Sequence, residues 1–102
     1  MTHREIFRSS LGHKNTGKVP VDFGATGVTG LHISCVDALR THYGLEKRPV
    51  KLFEPYQMLG LIEEDLANAM DISVTGVYAR KTMFGFDASD WKEYTLADGL
   101  DV

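Results

Sequence analysis

Apolar residues follow two different periods along the chain, and each period predicts a type of secondary structure. Over residues 19–23 they occur at every second position, which predicts a strand with one apolar face. Over residues 31–43 they recur at helical spacing, which predicts a helix with Thr29 as its N-cap and Gly44 just beyond its end. The two segments form a βα unit, and we expect the rest of the chain to be organised around the stretch that joins them.

The N-terminal segment predicts a helix that starts at once. Thr2 and Glu5 have the spacing of a capping box, in which the threonine hydroxyl accepts an amide hydrogen bond and the glutamate reaches back to the N-cap amide. We expect the helix to end between Gly12 and Asn15. Its apolar stripe is narrow, which indicates a brace that lies against a larger body.

A second unit is predicted in the middle of the chain. Residues 50–53 have the pattern of a short strand. Apolar residues at helical spacing predict one helix from near Pro55 to about Met70, either continuous or broken near Gly60. Its solvated face is assigned to three acidic residues, Glu63, Glu64 and Asp65. β-Branched residues predict another strand over residues 72–77, and a long loop is expected over residues 78–89.

The C-terminal residues predict an incomplete β-hairpin. Residues 91–96 have strand propensity, and the Ala-Asp-Gly sequence at 97–99 is a turn signal. Residues 100–102 are all that remains for the returning strand. Because a ribbon with so short a partner is marginal by itself, we expect this chain to be a piece of a longer protein.

Composition narrows the classes of function. With 102 residues, a net charge of -3 and 43% hydrophobic residues, the chain is expected to form one partial domain over residues 1–102. Eleven basic residues against 14 acidic ones leave no positive surplus for phosphate, which argues against nucleic acid as a partner. No apolar run approaches the roughly 18 residues of a membrane span, and no signal peptide is indicated. We therefore expect a cytoplasmic protein without membrane contact.

The glycine-rich stretch after the first predicted strand leaves two interpretations open. Gly24, Gly27 and Gly30 could let backbone amides approach an anion, or they could form a tight turn that needs small residues. The role of Asp22 is left open in the same way. Its carboxylate suits a substrate amine or pyrrole N–H, acid–base chemistry, or a hydrogen bond to the turn that follows.

His32 and Cys35 stand three residues apart and could share one face of the predicted helix. A zinc site needs three or four protein ligands, and no third ligand stands at a recognisable spacing. The other histidines are His3, His13 and His42; they fall at helix ends or on solvent faces, and no nucleophile, base and orienting group can be assembled from them. We predict no metal or cofactor for this chain.

A series of motifs resembles one protein family. The motifs are Thr-His-Arg-Glu at 2–5, Val-Pro-Val-Asp-Phe-Gly at 19–24, Val-Thr-Gly-Leu-His at 28–32, Arg-Pro-Val-Lys-Leu-Phe-Glu-Pro-Tyr-Gln-Met-Leu at 48–59 and Trp-Lys-Glu-Tyr-Thr-Leu-Ala-Asp-Gly at 91–99. In this order and spacing they resemble the N-terminal part of a uroporphyrinogen decarboxylase family protein. The branch that the chain most resembles includes the methylcobamide:coenzyme M methyltransferases and related corrinoid-dependent demethylases.

The resemblance implies an α/β fold, namely a partial (β/α)8 TIM barrel with the N-terminal helix, the first βα units and the incomplete hairpin. It also implies a cytoplasmic parent enzyme that acts on a tetrapyrrole. The parent would either decarboxylate acetate side chains or transfer a methyl group from a corrinoid. The substrate-binding residues expected around the mouth of the first strand are Asp22, Phe23, Gly24 and Gly27, whereas the catalytic residues stay unassigned.

The two activities place different demands on the parent. The family's decarboxylases carry an Arg-Gln-Ala-Gly-Arg run after the first strand, where this chain has Phe-Gly-Ala-Thr-Gly. The methyltransferases use zinc held by a His-x-Cys pair and a later cysteine, and their partners include corrinoid proteins. Since neither apparatus is visible in these residues, the chain alone is expected to be inactive. The alternative is a standalone small α/β binding or interaction module without catalysis, whose apolar faces are closed by self-association.

Overall fold

The computed structural model describes residues 1–78, 80–81, 85, 87 and 92–102. Within these residues lie three helices and three short strands: α1 (His3–Leu11), β1 (Leu31–His32), α2 (Ile33–His42), β2 (Leu52–Glu54), β3 (Leu59–Gly60) and α3 (Glu64–Ala69). The strands form one antiparallel sheet in the order β1-β3-β2. A sheet of this size does not test the partial (β/α)8 barrel, which stays a prediction.

The N-terminal helix begins as the capping box predicts. The Thr2 hydroxyl accepts a hydrogen bond from the Glu5 amide at 3.2 Å, and the Glu5 carboxylate accepts one from the Thr2 amide at 2.8 Å. After Leu11 the backbone turns left-handed at His13, with φ of 58°, which ends the helix in the predicted region. Ile6 is the residue that α1 buries against the body.

The second helix ends where the sequence predicts but begins later than expected. Gly44 has φ of +67° and follows the last turn, which suits a residue without a Cβ. The amide of Leu45 donates to the carbonyl of Arg40 at 2.9 Å, and this bond satisfies a carbonyl at the end of α2. The predicted N-cap, Thr29, is wrong: the N-cap is His32, because Thr29 is bonded within the preceding loop.

The strands predicted over residues 19–23 and 72–77 are wrong. All of these residues are described, and none of them lies in a strand. The two segments nevertheless meet, since the Ser73 amide donates to the carbonyl of Val21 at 2.8 Å and the Val21 amide donates to the Ser73 hydroxyl at 3.0 Å. Because the Val21 amide bonds to a hydroxyl and not to a backbone carbonyl, this contact is not a ladder pair.

The helix predicted from near Pro55 to Met70 is wrong in its first half. Glu54 accepts hydrogen bonds from the amides of Tyr56 and Gln57, which forms a turn between β2 and β3. A Cβ on Gly60 would lie 2.8 Å from side-chain atoms of both Val36 and Val50, so glycine lets β3 approach α2 closely. The apolar residues of β3 and those of α3 together have a helical spacing, although only the second group lies in a helix.

The predicted C-terminal turn-back is found over residues 94–102, where Thr95 and Asp101 form an antiparallel bridge. Tyr94 and Val102 exchange backbone hydrogen bonds at 3.0 and 2.9 Å, and Gly99 takes the left-handed conformation in the turn, with φ of +88°. The Val50 amide donates to the carbonyl of Asp101 at 3.1 Å, which joins the hairpin to the body. Trp91 and most of the loop predicted over residues 78–89 lie outside the described residues.

The core lies between α2, α3 and the chain entering β2. Its central members are fully buried or nearly so: Ile33, Val36, Val50 and Leu66. Apolar residues of the hairpin pack around them, namely Leu96, Leu100 and Val102. Although the hairpin is short, it covers part of the common core, and this packing supplies stability that an isolated ribbon lacks.

Candidate functional site

The stretch from Asp22 to Gly30, called here loop 22–30, holds all four residues predicted to bind substrate. The Asp22 carboxylate accepts hydrogen bonds from the Ala25 amide at 3.1 Å and from the Thr29 hydroxyl at 3.2 Å. These are the bonds expected of a side chain that holds the following turn. Binding of a substrate by Asp22 stays a prediction.

The backbone amides of loop 22–30 are largely engaged within the loop. Gly24 donates to the carbonyl of Thr29 at 2.9 Å, and the amides of Val28 and Thr29 both donate to the Thr26 hydroxyl at 3.2 Å. The Thr26 amide in turn donates to the Thr29 hydroxyl at 3.1 Å. These bonds occupy the amides of Gly24, Thr26, Val28 and Thr29, so the geometry favours the tight turn over the anion cradle.

The loop is attached to the body at Gly24. This residue is buried, has φ of +92°, and a Cβ there would lie 2.5 Å from Cγ1 of Ile62. Its carbonyl accepts a hydrogen bond from the Tyr78 hydroxyl at 2.7 Å. The Tyr78 ring packs on Phe53 with 4.7 Å between ring centroids. Burial of Tyr78, together with the nearby negative charge of Asp22, raises the pKa of its phenol.

The other two predicted site residues lie on the outside of the loop. Phe23 is 42% exposed, and a Cβ on Gly27 would meet no atom within 4 Å. Next to Gly27, Val28 is 96% exposed. The polar groups of the loop therefore bond to one another at the surface, and the side chains of Phe23 and Val28 are exposed beside them. Tyr78, which anchors the loop, is not among the residues predicted from the sequence. No local signal marked Tyr78, because its partner Gly24 is 54 residues away.

A second polar cluster joins α2 to α3 and corrects the assignment of Glu63 and Asp65 to a solvated face. Arg40, only 4% exposed, donates to both carboxylate oxygens of Asp65 at 2.9 Å. It also donates to the carbonyl of Glu46 at 3.1 and 2.6 Å. Arg48 binds Asp65 from the other side and lies 3.7 Å from a Glu63 oxygen. We call this set the Arg40 cluster.

Charge and hydrogen bonding at the Arg40 cluster shift two pKa values. The hydrogen bonds from Arg40 hold the pKa of the Asp65 carboxyl well below its usual range, and the charge of Arg48 acts in the same direction. The hydrogen bond to Asp65 raises the pKa of Arg40 in spite of its burial. The cluster therefore stays ionised near neutral pH, and its contacts are those of a structural connection between helices.

An open cleft of about 460 Å³ lies between the start of α2 and the C-terminal hairpin. Its walls are polar and carry both signs of charge. The lining residues are Ser34, Asp37, Lys47, Arg48, Pro49 and residues 98–101. Nothing in the sequence pattern connected these segments, because the cleft exists only once the hairpin packs beside residues 47–50.

Within the residues that the structure describes, no group of three or more His, Cys, Asp or Glu side chains could hold a metal ion. Cys35 is exposed, and His32 is directed to Ser34. Among the described helices, none has the length and apolar character required to cross a membrane. No protein-family model matches the chain, and no curated protein or solved structure matches it either.

Proposed function

We infer that this chain is the N-terminal segment of a uroporphyrinogen decarboxylase-like enzyme of the cytoplasm, and that loop 22–30 forms part of the wall of its tetrapyrrole or corrinoid site. The inference rests on one observation about the bonding and exposure of the groups in this loop. Its polar groups bond to one another, whereas Phe23 and Val28 are exposed. Ligand sites are lined mainly by such apolar and aromatic groups.

The hydrogen bonds of the loop support this role because they restrict its conformation before a ligand arrives. Gly24 is held between Ile62 and the Tyr78 hydroxyl, and Asp22 connects both ends of the turn. A wall that is already ordered loses less conformational entropy when a ligand binds. In this proposal Asp22 and Gly24 shape the loop, and Phe23 is the side chain that contacts the ring system.

The chemistry of the parent enzyme would come from residues beyond this chain. Decarboxylation needs cationic groups to hold the substrate carboxylates and a proton donor for the pyrrole. Methyl transfer needs a zinc-bound thiol, whose pKa the metal lowers. A tetrapyrrole, a corrinoid or a corrinoid protein is the proposed partner, and residues 1–102 alone are expected to show neither activity.

The first experiment is to sequence the DNA downstream of Val102 and to assay the complete gene product. A continuing reading frame is expected, and a His-x-Cys motif in it would select methyl transfer over decarboxylation. Binding of uroporphyrin and of cobalamin is then measured by absorbance titration. Phe23→Ala should weaken the binding of one of them several-fold, because an exposed aromatic side chain is lost from the wall.

Phe7→Ala provides a matched control for Phe23→Ala. Phe7 lies on α1 and is 41% exposed, against 42% for Phe23, so both variants remove an equally accessible ring. Ligand binding should be unchanged in the control. Equal loss in both variants, or no binding of either ligand by the complete gene product, would contradict the proposal.

The second candidate is a standalone interaction module that associates with itself. It is favoured by the near-complete exposure of two apolar residues, Val28 at 96% and Val77 at 98%. A stop codon directly after Val102 would support it, together with a defined oligomer that unfolds in one cooperative thermal transition. Monomeric behaviour at high concentration in sedimentation experiments would count against it.

A further inference from the structure

Ser34 and His32 form a close pair at the start of α2 that belongs neither to loop 22–30 nor to the Arg40 cluster. The Ser34 hydroxyl lies 2.8 Å from Nδ1 of His32, and both residues are exposed. A hydroxyl within hydrogen-bond reach of an imidazole is the arrangement by which enzymes activate serine as a nucleophile. Helical spacing relates His32 to Cys35, three residues on, and gives no signal for Ser34, two residues on.

The hydrogen-bond pattern determines which atom of the pair is the donor. The backbone amide of Ser34 donates to the same Nδ1 at 3.2 Å. A nitrogen that accepts an N–H bond carries a lone pair, so the neutral His32 ring holds its proton on Nε2. The Ser34 hydroxyl must therefore donate to Nδ1, which is the direction that proton removal requires.

Ser34 lines the cleft of about 460 Å³, and His32 is its hydrogen-bonded neighbour. This volume lies within the range of roughly 300 to 1,000 Å³ that small-molecule sites occupy. Lys47 lines the same cleft and carries a positive charge that can stabilise a developing oxyanion. Arg48 adds a second positive charge, but three carboxylates line the cleft as well, namely Asp37, Asp98 and Asp101. Because the negative charges outnumber the positive ones, a neutral acyl group suits the cleft better than an anionic one.

We propose that Ser34 is an acyl-accepting nucleophile, that His32 is its general base, and that the cleft receives a small neutral carboxylic ester. The Ser34 oxygen forms a bond to the ester carbonyl carbon while its proton moves to Nδ1 of His32. The bond between the carbonyl carbon and the ester oxygen then breaks, and the alcohol leaves with that electron pair and with the proton from His32. The products are O-acyl Ser34 and one alcohol.

The test uses the complete 102-residue chain and p-nitrophenyl acetate. Release of nitrophenolate is followed by absorbance, and the acetylated residue is identified by mass spectrometry of peptides. All variants carry Cys35→Ala, because the exposed Cys35 thiol next to Ser34 is a competing nucleophile. Acetylation is expected at Ser34, and Ser34→Ala should abolish it. Ser10→Ala, at an exposed helical serine, should leave it unchanged.

His32→Asn separates the proposed chemistry from helix capping. Asparagine accepts the Ser34 amide hydrogen bond as an N-cap and so preserves α2, but it is not a base at neutral pH. The rate of acetylation should fall on the order of 100-fold, the lower end of what a positioned base contributes. Circular dichroism checks that the helix content is unchanged. An unchanged rate in His32→Asn, or acetylation at sites other than Ser34 in the parent chain, would overturn the proposal.

Discussion

Loop 22–30 and the Arg40 cluster are both held by polar side chains, but over very different distances along the chain. In the loop, Asp22 binds a hydroxyl seven residues away, and most other bonds are shorter in range. In the Arg40 cluster, Arg40 binds a carboxylate 25 residues away on another helix. The loop can form from local contacts, whereas the cluster exists only after α2 and α3 pack.

The two regions also differ in what lies around them. Arg40 is only 4% exposed and lies near the packed core, so its charge is stabilised by the bidentate bond to Asp65 and by the Glu46 carbonyl. In loop 22–30, by contrast, the apolar side chains of Phe23 and Val28 are exposed to solvent. The polar network of the Arg40 cluster therefore contributes to folding, whereas that of loop 22–30 shapes an exposed surface.

The largest loss of stability is expected from a substitution in the core at α3, and it is compared with a substitution in loop 22–30. Leu66 is fully buried, and Leu66→Ala should lower the free energy of unfolding by about 2–5 kcal/mol, the usual cost of a cavity. Val28→Ala in loop 22–30 should change it by less than about 0.5 kcal/mol. Urea denaturation followed by circular dichroism measures both. Similar losses in the two variants would mean that Val28 is buried in solution, for example in an oligomer.

A smaller effect is expected where the loop joins the body. Gly24→Ala should cost about 1–3 kcal/mol, because alanine is strained at φ of +92° and its Cβ would meet Ile62. Gly27→Ala is the control. A Cβ there has open space and the backbone is not left-handed, so the unfolding midpoint should be unchanged or slightly raised.

The double variant Gly24→Ala with Ile62→Ala distinguishes the two sources of that cost. Removing the Ile62 side chain relieves the steric clash but leaves the backbone strain. Gly24→Ala should therefore lower the free energy of unfolding by less in the Ile62→Ala background than in the wild type. If Gly24→Ala and Gly27→Ala behave alike, the loop is not attached to the body through Gly24.

The smallest change in stability is expected when acid protonates the Arg40 cluster. The Asp65 side chain is 33% exposed, so water screens its ion pair with Arg40. The pKa of folded Asp65 is depressed, while the unfolded chain takes up a proton near pH 3.9. Between these two values the unfolded state binds more protons, so stability falls as the pH falls. The urea midpoint should decrease from pH 6 to pH 3.

Asp65→Asn is the matched variant for this pH dependence. It keeps the size of the side chain and removes the titrating group. Its urea midpoint should be lower than that of the wild type at pH 6, and the difference between the two proteins should shrink at pH 3. A constant difference across this range would show that the charge of Asp65 does not contribute.

Local signals in the sequence predicted those parts of the fold that depend on neighbouring residues. The capping box of Thr2 and Glu5, the left-handed Gly44 after α2, and the turn with Gly99 are all found in the structure. Each depends on residues within about one helical turn, so the sequence carries the complete information. The hydrogen bonds of the glycine-rich turn after Asp22 are also local, but its sequence pattern left a tight turn and an anion site both open.

Apolar periodicity was less informative where the chain is short and changes direction. Residues 55–63 were assigned to a helix, but Met58 has φ of 56° and Gly60 is held in the sheet between Val36 and Val50. Alternation over residues 19–23 predicts a strand, but the segment bonds to residue 73 through one backbone bond and one side-chain bond and forms no ladder. Periodicity indicates which residues are buried, but it does not specify the partner that decides between helix, strand and loop.

The sequence by itself determined the start of α1, the end of α2 and the C-terminal turn, because those features are closed by residues a few positions apart. Tertiary structure alone decided that Asp65 is an ion-pair partner, that Tyr78 holds Gly24, and that the hairpin forms one wall of a cleft beside Ser34. These contacts join residues that are distant along the chain. The chain entropy of bringing them together is offset only when the common core of α2, α3 and the hairpin packs.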